Sequence, residues 1–188
     1  MHYGFHNTDK ELRIACIAGD RRAQRVLYQK YFGQFKGIPM RYMKNKEEAT
    51  SLLNQAFLNI FSSLSNYKEE GNFAGWMSTI VFRTTMDKVR SDKRYNERFI
   101  LQTPRESVRP VSNSAESKLN TEHIYQQIQQ LPDHLRIVFN LYVIEGYKHE
   151  EIVQEIGIKL SASKWRLAKA RETLQKALQK HYPNGKSA

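Results

Sequence analysis

Basic side chains concentrated after residue 157 are the groups in this sequence best suited to bind a charged ligand. Seven lysines or arginines and a single acid, Glu172, lie between residues 159 and 180. Ammonium and guanidinium groups bind phosphates and the edges of bases. On a helix, the side chains predicted to meet a nucleic-acid duplex are Lys159, Ser161, Lys164, Trp165, Arg166 and Lys169. The alternative is a solvated basic face on a structural helix.

The elements that would position this basic face are two helices separated by a glycine. A short helix is predicted from His149 to Ile156 and a longer one ends near His181, with Gly157 supplying a turn that other residues adopt less readily. This order of elements is typical of a helix-turn-helix. The residues of the second helix predicted to face the core recur at helical spacing and are Ser163, Leu167, Ala170, Leu174 and Leu178.

Residues with catalytic potential do not form a known catalytic motif. His149-Glu150 resembles the start of a zinc-protease motif, but the position of the second histidine is Val153. The six histidines and one cysteine have no metal-ligand spacing. Cys16 lies near Ile14 and Ile17 and is expected to be packed rather than reactive. We therefore expect no enzyme activity, no cofactor and no metal.

Helical signals also dominate the first half of the chain. Thr8 and Glu11 form a predicted capping box, and Asp20 is positioned to cap a second helix. A third helix is expected to start near Lys46, and a fourth to run from about Phe73 to Arg94. The polar stretch from Ser65 to Asn72 separates these last two helices.

Helical periodicity is lost between about residues 95 and 117, where Thr103-Pro104 and Arg109-Pro110 are typical of an extended linker. The sequence therefore predicts an all-α protein of two small helical domains, 1–95 and 117–188, joined by a linker at 96–116. The net charge of +11 favours a polyanionic partner, nucleic acid first and an anionic membrane surface second. The lone cysteine and the lack of a long apolar stretch favour a cytoplasmic protein without membrane insertion.

Motifs in both halves resemble the extracytoplasmic-function (ECF) sigma factors of bacterial RNA polymerase. The stretch from Leu131 to Tyr142, Glu145-Gly146-Tyr147 and Gly157-Ile158 are similar to family region four. The stretch from Ala18 to Ala23, and Gly75-Trp76, are similar to region two. Both sets occur in the family's order around the predicted linker.

The resemblance implies a role in promoter recognition and melting during transcription initiation. Region two would bind the beta-prime clamp helices of core RNA polymerase through Leu52, Leu53, Asn54, Gln55 and Phe57. It would hold the unpaired minus-ten strand through Tyr67, Asn72, Phe73, Trp76, Arg83, Lys88 and Arg90, since stacking and cations bind single strands. Region four would contact the beta flap and would read the minus-thirty-five duplex through the six residues predicted to meet a duplex, from Lys159 to Lys169. At helical spacing with Ile80, Trp76 also fits the core.

Three departures from the family keep other functions open. The acids that usually surround Gln55 are missing, Arg83 replaces a frequent asparagine, and Trp165 is a large residue in the recognition helix. One alternative is a divergent sigma factor that a DNA-bound partner recruits to its promoters. Another is a basic helix-turn-helix regulator that does not bind polymerase. An anti-sigma factor is a further possible partner.

Overall fold

The computed structural model describes residue 4, residues 7–99 and residues 119–181, with side chains over 7–92 and 124–179. Within these ranges all regular structure is helical. The chain divides into two compact units, Met1–Val89 and Arg90–Ala188. The prediction of an all-α protein with two domains is confirmed.

The first unit is built from helices that begin where the sequence offers side-chain caps. The Thr8 N–H donates to Glu11 Oε2 at 2.8 Å, and the Glu11 N–H donates to Thr8 Oγ1 at 3.3 Å, so the predicted capping box is confirmed. Asp20 Oδ1 likewise accepts the N–H groups of Arg22 and Ala23. The helices are α1 (Asp9–Ile17), α2 (Arg21–Phe35), α3 (Gly37–Met40), α4 (Lys46–Ser63) and α5 (Phe73–Phe99).

Two boundaries in this half differ from the sequence prediction. The short helix α3 was not predicted, because four residues are too few to show a period. Helix α5 continues to Phe99, five residues beyond the predicted end at Arg94. No glycine or proline occurs between Arg94 and Pro104, so no helix-breaking residue stops the helix at the point where its core-facing pattern is lost. The first four residues of the predicted linker, 96–99, are therefore helical. Residues 100–118 lie outside the described residues, so the rest of the linker and the predicted domain bounds stay predictions.

The core of the first unit forms where one stripe from each helix meets the others. Ala23, Leu27, Tyr31 and Phe35 of α2 recur every four residues and are buried, and α1, α4 and α5 complete the cluster. Burial of these side chains is the main stabilising contribution, at about 1.5–3 kcal/mol for each large residue. Its largest fully buried members are Phe35, Phe57, Leu12, Leu27, Leu53, Ile60, Leu64, Met77 and Val81.

The second unit packs its last helix against the others. Its helices are α6 (Leu119–Gln130), α7 (Asp133–Phe139), α8 (His149–Ile156) and α9 (Leu160–His181), and a π-helical turn, Asn140–Ile144, follows α7. Helix α9 contacts α6, α7 and α8. Ser163, Leu167, Ala170 and Leu174 are buried as predicted, whereas Leu178 is only partly buried near the end of the helix.

A buried arginine joins α6 to α7. Arg136 is 3% exposed, and its guanidinium donates to the carbonyl oxygens of Gln129 and Leu131 and to Asp133 Oδ1, at 3.0, 3.4 and 3.0 Å. The last carbonyls of a helix have no partner within the helix. Arg136 supplies donors to these groups and thereby fixes the corner between the two helices.

The turn between α8 and α9 has the geometry that the glycine predicted. Gly157 adopts φ 62° and ψ 46°, a left-handed conformation that favours glycine. Ile152, Ile156 and Ile158 are buried beneath it. A hydrogen bond of 2.9 Å between His149 Nδ1 and the fully buried Ser163 Oγ joins the two helices. The predicted helix-turn-helix is present.

Candidate nucleic-acid and polymerase interfaces

The outer face of α9 carries most of the predicted duplex-binding side chains. Trp165 is 58% exposed, and Arg166 at its flank is partly buried. The exposed members of the predicted set are Lys159, Ser161, Lys164, Trp165 and Lys169. Ser163, Leu167 and Ala170 hold the opposite face in the core. The exposed residues within α9 therefore share one accessible side of the helix, and Lys159 directly precedes its first residue.

Charge on this face is uneven along the helix. Glu172 lies between two lysines, with Oε2 2.9 Å from Lys169 Nζ and Oε1 2.6 Å from Lys176 Nζ. The hydrogen bonds from Lys176 and Lys169 lower the pKa of Glu172 to about 2. Lys169 is therefore paired with an anion, and the positive charge available to a ligand is greatest in the N-terminal part of α9.

A histidine that the sequence analysis did not select lies beside this face. Burial lowers the pKa of His134, and the nearby positive charge of Arg166 lowers it further, against an opposite effect of Asp133. His134 is the second residue of α7, and its proximity to α9 depends on how the two helices pack. No spacing in the sequence could have indicated that His134 lies near Arg166.

Three aromatic rings of the predicted unpaired-strand set form one cluster in the first unit. The ring centroids of Tyr67 and Phe73 are 5.1 Å apart, those of Tyr67 and Trp76 5.3 Å, and those of Phe73 and Trp76 5.9 Å. Phe73 is only 7% exposed and supports the cluster from within, whereas Tyr67 and Trp76 are partly exposed. We call Tyr67, Phe73 and Trp76 the aromatic cluster.

Most of the other predicted members of this set lie along α5. Trp76, Arg83 and Arg90 recur every seven residues, so they follow one side of the helix at intervals of about 10 Å. Lys88 lies on a different side, with Nζ 3.7 Å from Glu48 Oε1 near the start of α4. The Asn72 side-chain oxygen accepts the N–H of Ala74 at 2.9 Å and caps α5. Arg90 begins the second unit, where its guanidinium donates to the carbonyl and carboxylate oxygens of Glu155 at 3.1 and 2.5 Å. Of this set, the structure therefore leaves Arg83 on the same side of α5 as Trp76 within the first unit.

The predicted polymerase-binding residues of α4 divide between the core and the surface. Leu53 and Phe57 are 0% and 1% exposed, so in this structure neither can contact a partner directly, and that part of the prediction is corrected. Their burial follows from the helical stripe to which both belong. Asn54 and Gln55 are exposed, and Leu52 is partly exposed.

One exposed apolar residue of this surface was not among the predicted polymerase-binding residues. Leu58 is 61% exposed on the same side of α4 as Asn54 and Gln55. It falls outside the core-facing stripe of the helix, and this departure is a signal that periodicity alone could have provided. We call Leu52, Asn54, Gln55 and Leu58 the α4 surface.

Metal and membrane sites were also sought in the described part of the chain. There, no three histidine, cysteine or acidic side chains lie close enough together to hold a metal ion. No helix in the same ranges has both the length and the apolar character needed to cross a bilayer. Cys16 is buried, as predicted, and burial together with the charge of Asp20 raises the pKa of its thiol to about 12.

Comparison with known families places both units. The family model of Sigma-70 region 2 matches residues 27–95, which include the aromatic cluster and the α4 surface. The model of Sigma-70, region 4 matches residues 121–174, which include the turn at Gly157 and most of α9. Helix α1 precedes both matched segments.

Relatives match across both segments. The RNA polymerase sigma-H factor of Pseudomonas aeruginosa is 26% identical over 181 residues, which are 91% of this chain and 94% of the relative. The ECF RNA polymerase sigma factor SigE of Mycolicibacterium smegmatis is 29% identical over 148 residues, 77% of this chain and 57% of the relative. A solved sigma factor RpoE from Bartonella quintana, in complex with the anti-sigma factor NepR, is 15% identical, covers 81% of this chain and 96% of that chain, and has a TM-score of 0.46.

The two matched segments together span more than half of the chain and occur in the order that the motifs predicted. The relatives that align along both segments are named as sigma factors. The resemblance drawn from the sequence is therefore confirmed: the chain belongs to the sigma-70 family and is an ECF sigma factor of bacterial RNA polymerase, acting in transcription initiation.

Proposed function

We propose that this protein selects promoters for core RNA polymerase by reading a duplex with α9 and by holding an unpaired strand at the aromatic cluster. The observation that carries the proposal is the presence of two surfaces with different chemistry, one in each unit. The surface of α9 is basic with one exposed indole, and the other surface combines partly exposed rings with arginines. Duplexes are read by polar and apolar contacts in a groove, and single strands by stacking.

Helix α9 has the features needed to enter a major groove. Lys159 and Lys164 can neutralise phosphates, which sets affinity and salt dependence. The exposed ring of Trp165 offers an apolar surface for a thymine methyl group, a contact that discriminates between bases. We assign the minus-thirty-five element to this face.

The aromatic cluster is suited to bases that have left the stack. Tyr67 and Trp76 expose part of their rings while Phe73 holds both from the core. Arg83 lies two turns further along the same side of α5 and can bind a phosphate of the strand. Stacking on such rings contributes about 1–3 kcal/mol per base, enough to offset the few kcal/mol needed to extrude one.

The α4 surface is our candidate for the contact with the polymerase clamp helices. It lacks the acids that the family usually has there, so an apolar contact through Leu58 would replace part of the charge attraction. Leu58→Ala is expected to weaken capture of core polymerase about tenfold while changing the free energy of unfolding by less than about 0.5 kcal/mol.

The comparison variant is Leu53→Ala, which makes the same substitution at a leucine of α4 that lies in the core rather than on the surface. It should destabilise the first unit by about 3 kcal/mol, because it leaves a cavity in the core. Normal capture of polymerase by a folded Leu58→Ala protein would remove the α4 surface from the proposal.

The remaining parts of the proposal follow from this role. The polymerase supplies the catalytic chemistry, so the protein itself is not an enzyme and needs no cofactor. It would act in the cytoplasm, where the polymerase and the promoters are. An anti-sigma factor that covers the α4 surface or α9 would hold it inactive.

The deciding experiment is reconstitution with core RNA polymerase and run-off transcription from a pool of randomised promoter fragments. Enrichment of templates that share two separate sequence elements is the expected result. Binding of duplex DNA without capture of polymerase would instead indicate a stand-alone regulator.

A second candidate is a sigma factor that a DNA-bound partner protein recruits. Exposed apolar side chains of the second unit favour it, namely Val143, Ile144, Leu160 and Trp165. In this case purified holoenzyme would transcribe poorly from every template in the pool, and addition of a fractionated partner would restore transcription.

A further inference from the structure

The segment from Tyr67 to Asn72, which we call the 67–72 loop, contacts a helix outside the matched family segments. Glu69 forms ion pairs with Arg13 and with Lys10, whose Nζ lies 3.5 Å from Glu69 Oε2. Both cations belong to α1, which precedes the region-two match at residues 27–95. The contact is therefore not a part of what the family match describes.

Arg13 joins this ion pair to the aromatic cluster. Its guanidinium carbon lies 5.6 Å from the centroid of the Tyr67 ring, and its side chain is only 12% exposed. An arginine placed over a ring attracts its electron-rich face. One largely buried side chain thus contacts both Glu69 and a ring that we expect to stack on a base.

The backbone of the loop is strained at the residue that makes the ion pairs. Glu69 has φ 59°, a left-handed conformation that is uncommon for residues other than glycine. Such strain persists only where surrounding contacts hold it in place. The loop is further closed by a hydrogen bond of 2.7 Å from the Tyr67 hydroxyl to the Gly71 carbonyl oxygen.

We propose that Glu69, held by Lys10 and Arg13, is a positioning residue that orients Tyr67 for the unpaired promoter strand. The inference rests on the proposed function, because it assigns α1 a part in the same site. The competing explanation is that the Glu69 carboxylate occupies a phosphate site and leaves when DNA binds. Arg13 contacts the Tyr67 ring as well as Glu69, so loss of its ion pair would also affect the ring, and this favours positioning.

The two explanations predict opposite effects of Glu69→Gln. Glu70→Gln is the matched control, because it removes the same charge from the neighbouring exposed residue. If Glu69 positions the loop, holoenzyme with Glu69→Gln should bind a pre-melted template about fivefold more weakly than holoenzyme with Glu70→Gln. Equal or tighter binding by Glu69→Gln would overturn the proposal. The template would be selected by wild-type holoenzyme from a pool randomised in the unpaired segment.

A double-mutant cycle separates this role from a general loss of stability. Arg13→Gln should weaken binding of the same template, and the variant with both Arg13→Gln and Glu69→Gln should bind no more weakly than Arg13→Gln alone. Additive losses would overturn the pairing. Hydrogen exchange of the most protected amides of α2 and α4 should be unchanged in all variants, which an unfolded first unit would not show.

Hydrogen exchange of the free chain provides a readout that needs no DNA. Glu69→Gln should increase exchange in residues 67–72, and Glu70→Gln should not. Unchanged exchange in Glu69→Gln would overturn the proposal that the ion pairs of Glu69 hold the loop, whatever the result for promoter binding. Failure of wild-type holoenzyme to select any melted template would instead overturn the proposed function, and with it the role of Glu69 in DNA binding.

Discussion

The two candidate DNA surfaces are constructed differently. The surface in the second unit is one face of α9, and it is exposed because Ser163, Leu167 and Ala170 bury the opposite face. The surface in the first unit combines a ring from a loop, two rings from the start of α5 and an arginine from α1. A duplex can be read by a single rigid helix, whereas an extruded base needs a pocket with walls from several elements. The first site therefore depends on tertiary contacts that the second does not need.

The largest expected effect tests whether the two units are stable independently of each other. Arg136→Met removes the donors to Gln129 and Leu131 and leaves their buried carbonyl oxygens and Asp133 without this partner. We expect a loss of about 3 kcal/mol in the free energy of unfolding of the second unit. Hydrogen exchange at the most protected amides of α7 and α9 would measure it, and α2 and α4 serve as the internal control. An equal loss in both units would contradict independent stability.

The next prediction separates the two surfaces by their ligands. Trp165→Ala should weaken binding of the minus-thirty-five duplex by about 1–3 kcal/mol and leave binding of a pre-melted minus-ten segment unchanged. Tyr67→Ala should do the reverse, by a similar amount per stacked base. Fluorescence anisotropy with holoenzyme and the two separate DNA fragments would measure both. A loss on both fragments for either variant would show that the surfaces act as one site.

A smaller effect tests the uneven charge along α9. Lys164→Ala should lower affinity for any duplex and reduce the slope of log affinity against log salt by about 1. Lys169→Ala should reduce the slope less, because Lys169 is already paired with Glu172. Salt titrations of duplex binding would give both slopes. A larger change for Lys169→Ala would mean that Glu172 releases it when DNA is present.

The smallest effect concerns pH and the second unit alone. His134 has a pKa lowered mainly by burial and also by Arg166, so its imidazole takes up a proton less readily in the folded than in the unfolded chain. The unfolded state therefore binds more protons below about pH 6.5, and the stability of this unit should fall as pH decreases from 7.5. His134→Gln should flatten that dependence in denaturant titrations at several pH values. An unchanged pH dependence would exclude His134 as its source.

The local sequence was sufficient for most elements but not for all of their ends. Capping by Thr8 and Asp20 and the turn at Gly157 were predicted because each depends on residues within four positions of one another. The end of α5 was placed too early, because a helix can continue after its core-facing stripe has stopped. Leu53 and Phe57 show a similar error, since a match to a family motif does not say whether a motif residue faces the core or the partner.

Four features could be predicted from the residues alone, namely the family, the helical class, the helix-turn-helix and the exposed face of α9. These features follow from helical periodicity and capping, which act between residues close in the chain. Only the tertiary structure decided that Arg13 contacts Tyr67 and Glu69, that His134 lies near Arg166, and that Lys88 faces Glu48 rather than the aromatic cluster. Each of these contacts joins elements separated by a turn or a loop, and the approach of such elements is set by the packing of the whole core.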